Sequence, residues 1–247
     1  MIRILSNSIS DDGVPVDGLL NRKNECALCS GLNFVDKGNL FFPKNEIEFK
    51  HLKTIIRKSE GQRRIYLLGD DACNFPLFVG EKGVILHFDA HDDAENTKQY
   101  LNHGNFLKYL VDNSPELLII QVGLREMINP KYISTYSNSI IHPGTIGDFE
   151  SIISSLPNNV NCSICIDCDV FDSTYISRVT CPQPFGMSVR EFLEYIKVLV
   201  KYNTTVSNIS LSEFSPTDKM DQRSALEALS LAELLIMLSD IVFKTAL

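Results

Sequence analysis

The 247 residues carry 31 acidic and 23 basic side chains, a formal charge of -8, and are 44% hydrophobic and 22% charged. That mix excludes a disordered or fibrous chain, and the length suits a single domain spanning residues 1–247 with a substantial core. The negative charge repels a phosphate backbone, so no nucleic acid is expected as a partner, whereas a cation, metal or substrate, is compatible with it.

Met1 to Ser10 lacks the apolar core of a signal peptide, and no run approaches the roughly 20 apolar residues that span a bilayer. A cytoplasmic protein without a membrane partner is therefore expected. Asp11 to Gly18 reads as a loop and Asn45 to Arg57 as a helix. From Arg64 onward short apolar runs alternate with longer amphipathic segments, the signature of a parallel sheet flanked by helices. The strands are expected at Ile65 to Leu68, Val84 to Phe88, Leu117 to Val122, Ser163 to Ile166 and Val206 to Leu211. Helices are expected at Gln99 to Val111, Phe149 to Leu156, Val189 to Lys201 and Ser224 to Phe243. Asp148 is placed to cap the second of these, and Ser188 with Glu191 forms a capping box for the third.

Seven cysteines, an odd number without a secretion signal, predict reduced thiols. Cys26 and Cys29 form a lone CxxC, a weak signal for zinc or redox chemistry. Cys162, Cys165 and Cys168 are expected in a strand, where a spacing of three alternates faces and cannot gather all three thiols on one side, and read as core filler.

Polar residues gather where the strands end. Asp70 and Asp71 follow the first strand, Asp89, His91 and Asp93 the second, Asp167 and Asp169 the fourth, and Glu213 the last. Ligands of open α/β sheets bind beyond these carboxyl ends. Residues spaced by two at a strand end point the same way, so Asp89, His91 and Asp93 can face Asp167 and Asp169 across one crevice. Four or more carboxylates in a partly dehydrated cleft repel one another, and a bound cation is the usual remedy. Oxygen-rich ligation with one nitrogen suits manganese better than zinc.

The motifs then become specific. Leu68-Gly69-Asp70-Asp71-Ala72, His87-Phe88-Asp89-Ala90-His91-Asp92-Asp93 and Cys165-Ile166-Asp167-Cys168-Asp169-Val170-Phe171-Asp172 occur in order with His103-Gly104, Gln121-Val122-Gly123-Leu124-Arg125 and Glu213-Phe214-Ser215-Pro216-Thr217-Asp218. Together they resemble the ureohydrolase family, which includes arginase, agmatinase, guanidinobutyrase and formimidoylglutamase. The resemblance implies a three-layer α/β/α sandwich with a mainly parallel sheet; histone deacetylases share that fold, so fold alone does not select the reaction. It also implies two divalent cations, manganese foremost. Asp71, Asp89, Asp93 and Asp167 would hold one, and Asp89, His91, Asp167 and Asp169 the other, with Asp89 and Asp167 as bridges.

Chemically, the resemblance implies that a water acidified by both cations attacks the carbon of a small cationic guanidino or formimino substrate. Glu213 would pair with the substrate's cationic end, and His103 would move protons near the leaving group. Urea or a related amide would be released. Trimers and hexamers occur in the family, so a homo-oligomer is compatible with the resemblance. The departures are Asp71 in place of a metal-binding histidine, Leu68 for glycine, Cys165 for serine, Ser173 for proline and Gln183 for glutamate. They leave a second reading open, a family member that has lost catalysis and serves as a metal-binding regulatory or interaction protein.

Overall fold

The computed structural model describes residues 2–5, 39–41, 46–57, 63–95, 100–125, 139–215 and 221–244. In chain order they form β1 (Ile2–Leu5), β2 (Asn39–Phe41), α1 (Glu46–Arg57), β3 (Arg64–Leu68), a 3-10 turn (Asp71–Asn74), the short α2 (Phe75–Phe78) and β4 (Gly83–Phe88). A second 3-10 turn (His103–Asn105) leads into α3 (Phe106–Asn113), followed by β5 (Leu117–Val122), β6 (Ile140–Ile141), α4 (Ile146–Ser155) and β7 (Asn161–Asp167). A third 3-10 turn (Cys168–Val170), α5 (Val189–Lys201), β8 (Thr205–Ser212) and α6 (Gln222–Lys244) follow.

Among the described residues, eight strands join one sheet in the order β2-β1-β3-β8-β7-β4-β5-β6, and each ladder between them is parallel. Parallel strands buried on both faces need near-continuous apolar runs, which β4 and β5 supply. Alternation then sends successive residues to opposite layers. Leu67, Leu86, Phe88 and Ile164 pack against Phe149 of α4, Phe192 of α5 and Leu235 of α6. Tyr66, Ile85 and Cys165 point the other way, toward Leu52 of α1, Leu77 of α2 and Phe106 of α3. The result is the expected three-layer α/β/α sandwich, with rings such as Phe88 and Phe192 meeting edge-on at 4.8 Å between the sheet and α5.

Several element boundaries differ from the sequence expectation. α4 begins at Ile146 rather than Phe149, because Thr145 takes the cap position and its hydroxyl oxygen accepts the Asp148 N–H; Asp148 sits inside the first turn. The helix expected from Gln99 is confined to 106–113. Asn102 and Asn105 exchange side-chain and backbone hydrogen bonds that fix a 3-10 turn before it. The Ser188–Glu191 capping box forms as read, with Glu191 N–H donating to Ser188 Oγ at 3.2 Å. β1, β2 and β6 lie outside the strands expected from the sequence. The Asp11 to Gly18 loop and the Cys26–Cys29 pair lie outside the described residues.

Cys162 and Cys165 are buried in opposite layers, and burial pushes both thiols up to about 12, which fits inert core filler. No described helix is long and apolar enough to cross a membrane.

Candidate active site

The four central strands β3, β8, β7 and β4 deliver the polar residues to one rim. In register, His87 lies beside Cys165, Cys165 beside Ser210, and Asp167 beside Ser212. Cys165 faces the α1–α3 layer, so His87, Asp167, Ser210 and Ser212 share that face by alternation, and Asp89 follows His87 by two. There the apolar sandwich gives way to hydrogen bonds. Ser210 Oγ donates to Asn74 Oδ1 at 2.8 Å, and Ser212 Oγ donates to Asp71 Oδ1.

Beyond the strands the chain curls back through three similar turns. Asp89 Oδ1 accepts the His91 N–H at 2.7 Å, Asp167 Oδ1 the Asp169 N–H at 2.7 Å, and Asp70 Oδ1 the Ala72 N–H at 2.8 Å. Convergence by simple strand alternation is therefore corrected for Asp93 and Asp169: Asp169 occupies a 3-10 turn, and Asp93 adopts a left-handed φ of 50°. Side-chain turns make the residues face one point. The loops are tied together across the rim. Ala90 N–H donates to Asp169 Oδ1 at 3.1 Å, and Gln121 Nε2 to the carbonyls of His91 and Asp92 at 2.6 and 3.2 Å. Arg125 donates to the carbonyls of Asp169 and Val170 at 2.6 and 3.0 Å. Gly123, with φ of 107°, lets β5 end against Asp89; a Cβ there would sit 2.8 Å from the Asp89 carbonyl oxygen.

The site residues fall into adjoining groups. Asp71, Asp89, Asp93, Asp167 and Asp169 are all buried. On one flank His91 Nδ1 stands 2.9 Å from Asp169 Oδ2 and 3.6 Å from Asp89 Oδ1, while His91 Nε2 lies 3.0 Å from Gln183 Nε2. On the other, one ligand atom each of Asp71, His87, Asp89 and Asp93 lies within 4.8 Å of the others. Asp167 lines the same cleft and interacts with both groups, hydrogen-bonded to Asp71 on one side and within electrostatic reach of Asp169 on the other.

Electrostatics describe a site short of positive charge. Burial, then the charges of neighbouring carboxylates, lifts Asp71, Asp93 and Asp167 well above the usual carboxylate range. Burial also lifts Asp169, against the hydrogen bond from His91. Asp89 is the exception, because hydrogen bonding from His91 and its other neighbours outweighs burial and holds it low. Hydrogen bonds to Asp169 and Asp89 raise His91 to about 11. Protons thus do the work of a cation. Three buried atoms here, both His87 ring nitrogens and Asp89 Oδ2, have no hydrogen bond. Burying such groups unpaired costs about 1–3 kcal/mol each, so the donor set fits a cation that would engage them.

Glu213 closes the cleft from the end of β8. It is buried, with φ of 60°, a conformation that costs about 1–3 kcal/mol and is typical of functional sites. Its Oε1 accepts the Asp71 N–H at 3.1 Å, and burial followed by nearby acids keeps its carboxyl above the ordinary range despite a hydrogen bond with Thr180. His103 sits at the exposed mouth, its Nδ1 3.9 Å from Asp70 Oδ2. The cleft of about 320 Å³ also meets Glu95, Thr180, Cys181 and Gln183.

A model of the family described as the arginase family matches residues 16–238. The chain belongs to the arginase family. Among curated relatives, formimidoylglutamase of Macrococcus caseolyticus is 23% identical over 230 residues, covering 85% of this chain and 72% of that protein. Agmatinase of Blochmanniella floridana is 24% identical over 227 residues, covering 81% and 69%. The crystal structure of arginase from Bacillus cereus superimposes with a TM-score of 0.72 at 18% identity, over 96% of this chain and 97% of that one. This arginase-family chain therefore carries the family's fold with much altered side chains. The structure brings all eight sequence-predicted site residues to one cleft or its walls. His87, Gln121 and Arg125 lie inside the matched motifs; for His87 the spacing of two before Asp89 signals that it faces the site, whereas Gln121 within β5 and Arg125 beyond its end carry no such local signal.

Proposed function

We propose that the chain is a binuclear-metal hydrolase that attacks the guanidinium or amidine carbon of a small cationic guanidino or formimino compound and releases urea or a related amide. The observation that carries this reading is the buried carboxylate cluster with its unpartnered His87 and Asp89 atoms, which demands positive charge beside a cleft of substrate size. Asp71, Asp89, Asp93 and Asp167 would hold one cation and Asp89, His91, Asp167 and Asp169 the other, manganese being the ion that best suits the oxygen-rich set. When bound, the pair supplies an acidified water as nucleophile.

The protein's own groups perform the remaining steps. Glu213, fixed by the Asp71 N–H, receives the planar cationic end of the substrate in a charge-assisted contact. Buried in the cleft wall beside the carboxylate cluster, it would shield that pair from water. His103, open to solvent at the mouth, carries a proton to the departing nitrogen and exchanges it with bulk water. Gln121 and Arg125 hold the two loops in place through their carbonyls.

The substitution of aspartate at position 71 favours a second reading, a metal-binding member without catalysis. One experiment decides between them. Manganese-loaded protein is screened against guanidino and formimino compounds with detection of urea, amide and ammonia; turnover supports the hydrolase, and metal binding without turnover of any of them supports the second reading.

A further inference from the structure

Among the six residues assigned to the cations, His91 is the single imidazole, and its Nδ1 faces Asp169. The opposite flank contains another imidazole that the assignment does not use. His87 sits in β4 two residues before Asp89 and so projects to the same side of the sheet. It is completely buried, and neither ring nitrogen has a hydrogen bond. Its Nε2 lies 3.3 Å from Asp89 Oδ2, which is itself buried without a hydrogen bond.

A core histidine normally settles one nitrogen on a backbone or side-chain partner. This one faces Asp89 at contact distance without a bonding angle, as two ligands of one ion do. Metal–ligand bonds of about 2.0–2.2 Å place two ligands of one ion roughly 3–4.4 Å apart. The atoms of Asp71, His87, Asp89 and Asp93 lie within 4.8 Å of one another, a spread that small side-chain rotations close onto a common centre. Phe106 packs edge-on to the ring at 5.4 Å and restricts its tilt.

We propose that His87 is a direct nitrogen ligand of the cation held by Asp71, Asp89 and Asp93. The proposal rests on the two-cation reading above. Its consequence is a division of donors: each cation would have one imidazole, His87 from β4 for one and His91 from the following loop for the other. Nitrogen donation makes the His87 position discriminate against magnesium and calcium in favour of transition-metal ions.

The test uses the full chain labelled with 15N-histidine and loaded with 113Cd as a spectroscopic probe. Two cadmium resonances are expected, each split by one histidine nitrogen. In His87→Phe, which fills the same space, one split resonance disappears or loses its coupling, and manganese titration followed by metal analysis shows one ion bound at least about 100-fold more weakly. Far-UV circular dichroism of the metal-free variant checks folding, and His87→Gln repeats the measurement with a polar side chain should the Phe variant fail to fold. Two resonances of which only one is coupled, or unchanged manganese binding in a folded variant, overturns the role of His87. Fewer than two ions in the wild type overturns the binuclear reading itself and this inference with it, an outcome distinct from loss confined to the variant.

Discussion

The two flanks of the carboxylate cluster are built to different standards. Around His91, both ring nitrogens have neighbours in Asp169 and Gln183, the Asp169 carboxylate takes the Ala90 N–H, and Arg125 grips the Asp169 carbonyl. Around Asp71 and Asp93 burial is as deep, but His87 and Asp89 Oδ2 are left without hydrogen bonds and Asp93 is held at positive φ. The first flank is organised by the protein alone. The second is positioned by the sheet yet lacks a charge to justify its burial, so a cation contributes most there.

The largest effect comes from removing what the flanks share. Asp167 stands between them, so Asp167→Ala should reduce bound manganese from two ions toward none and activity to background. Metal analysis after dialysis checks this; two ions retained would break the comparison, because each flank would then be self-sufficient. Next in size is Glu213→Gln, which keeps an acceptor for the Asp71 N–H but removes the charge offered to substrate. Losing one member of a buried charge pair costs about 2–5 kcal/mol, or roughly 30- to 5,000-fold in kcat/KM. Metal content should be unchanged, and a loss of metal would move Glu213 into the cluster.

A smaller effect addresses the finished flank. Groups that orient a metal ligand typically contribute about 10–100-fold in metal affinity. Gln183→Ala, which removes the neighbour of His91 Nε2, should weaken one manganese by that factor and leave the other untouched. Isothermal titration calorimetry resolves the two events; equal weakening of both would mean that the flanks are not independent.

The contrast also explains what the sequence discloses. The central strands were legible because burial on both faces forces apolar runs, as in Val84 to Phe88. β6 was not, since two residues carry no period. The acids were legible as neighbours because Asp89, His91 and Asp93, and Asp167 and Asp169, repeat at short spacing after such runs. The parts played by Gln183 and Arg125 depend on partners 92 and 44 residues away, which no local pattern encodes. His87 was hidden differently: within a strand it looks like a polar lapse in a core run, and its missing hydrogen bonds emerge only once Asp89 is placed.

The smallest effect is a pH dependence that separates the flanks in the metal-free protein. Asp71, Asp93 and Asp167 have folded pKa values well above the 3.8 of the free side chain, so the native state binds more protons than the unfolded chain above about pH 4. Their stability contribution is present below that value and is lost as pH rises through the raised values. His91 adds the same sign, its contribution being complete below 6.5 and lost toward about 11. Asp89, held low, acts in the opposite sense, but its contribution is lost only as pH falls below the ordinary carboxylate range and is constant between pH 5.5 and 8. The metal-free protein should therefore melt at a lower temperature at pH 8 than at pH 5.5, by a few degrees at about 2–4 °C per kcal/mol for a chain of this size. Manganese replaces the missing protons and should raise the melting temperature more at pH 8. Asp71→Asn removes one raised carboxyl at nearly constant shape and should flatten the metal-free slope. A slope unchanged by Asp71→Asn would place the excess negative charge on the His91 flank and reverse the comparison.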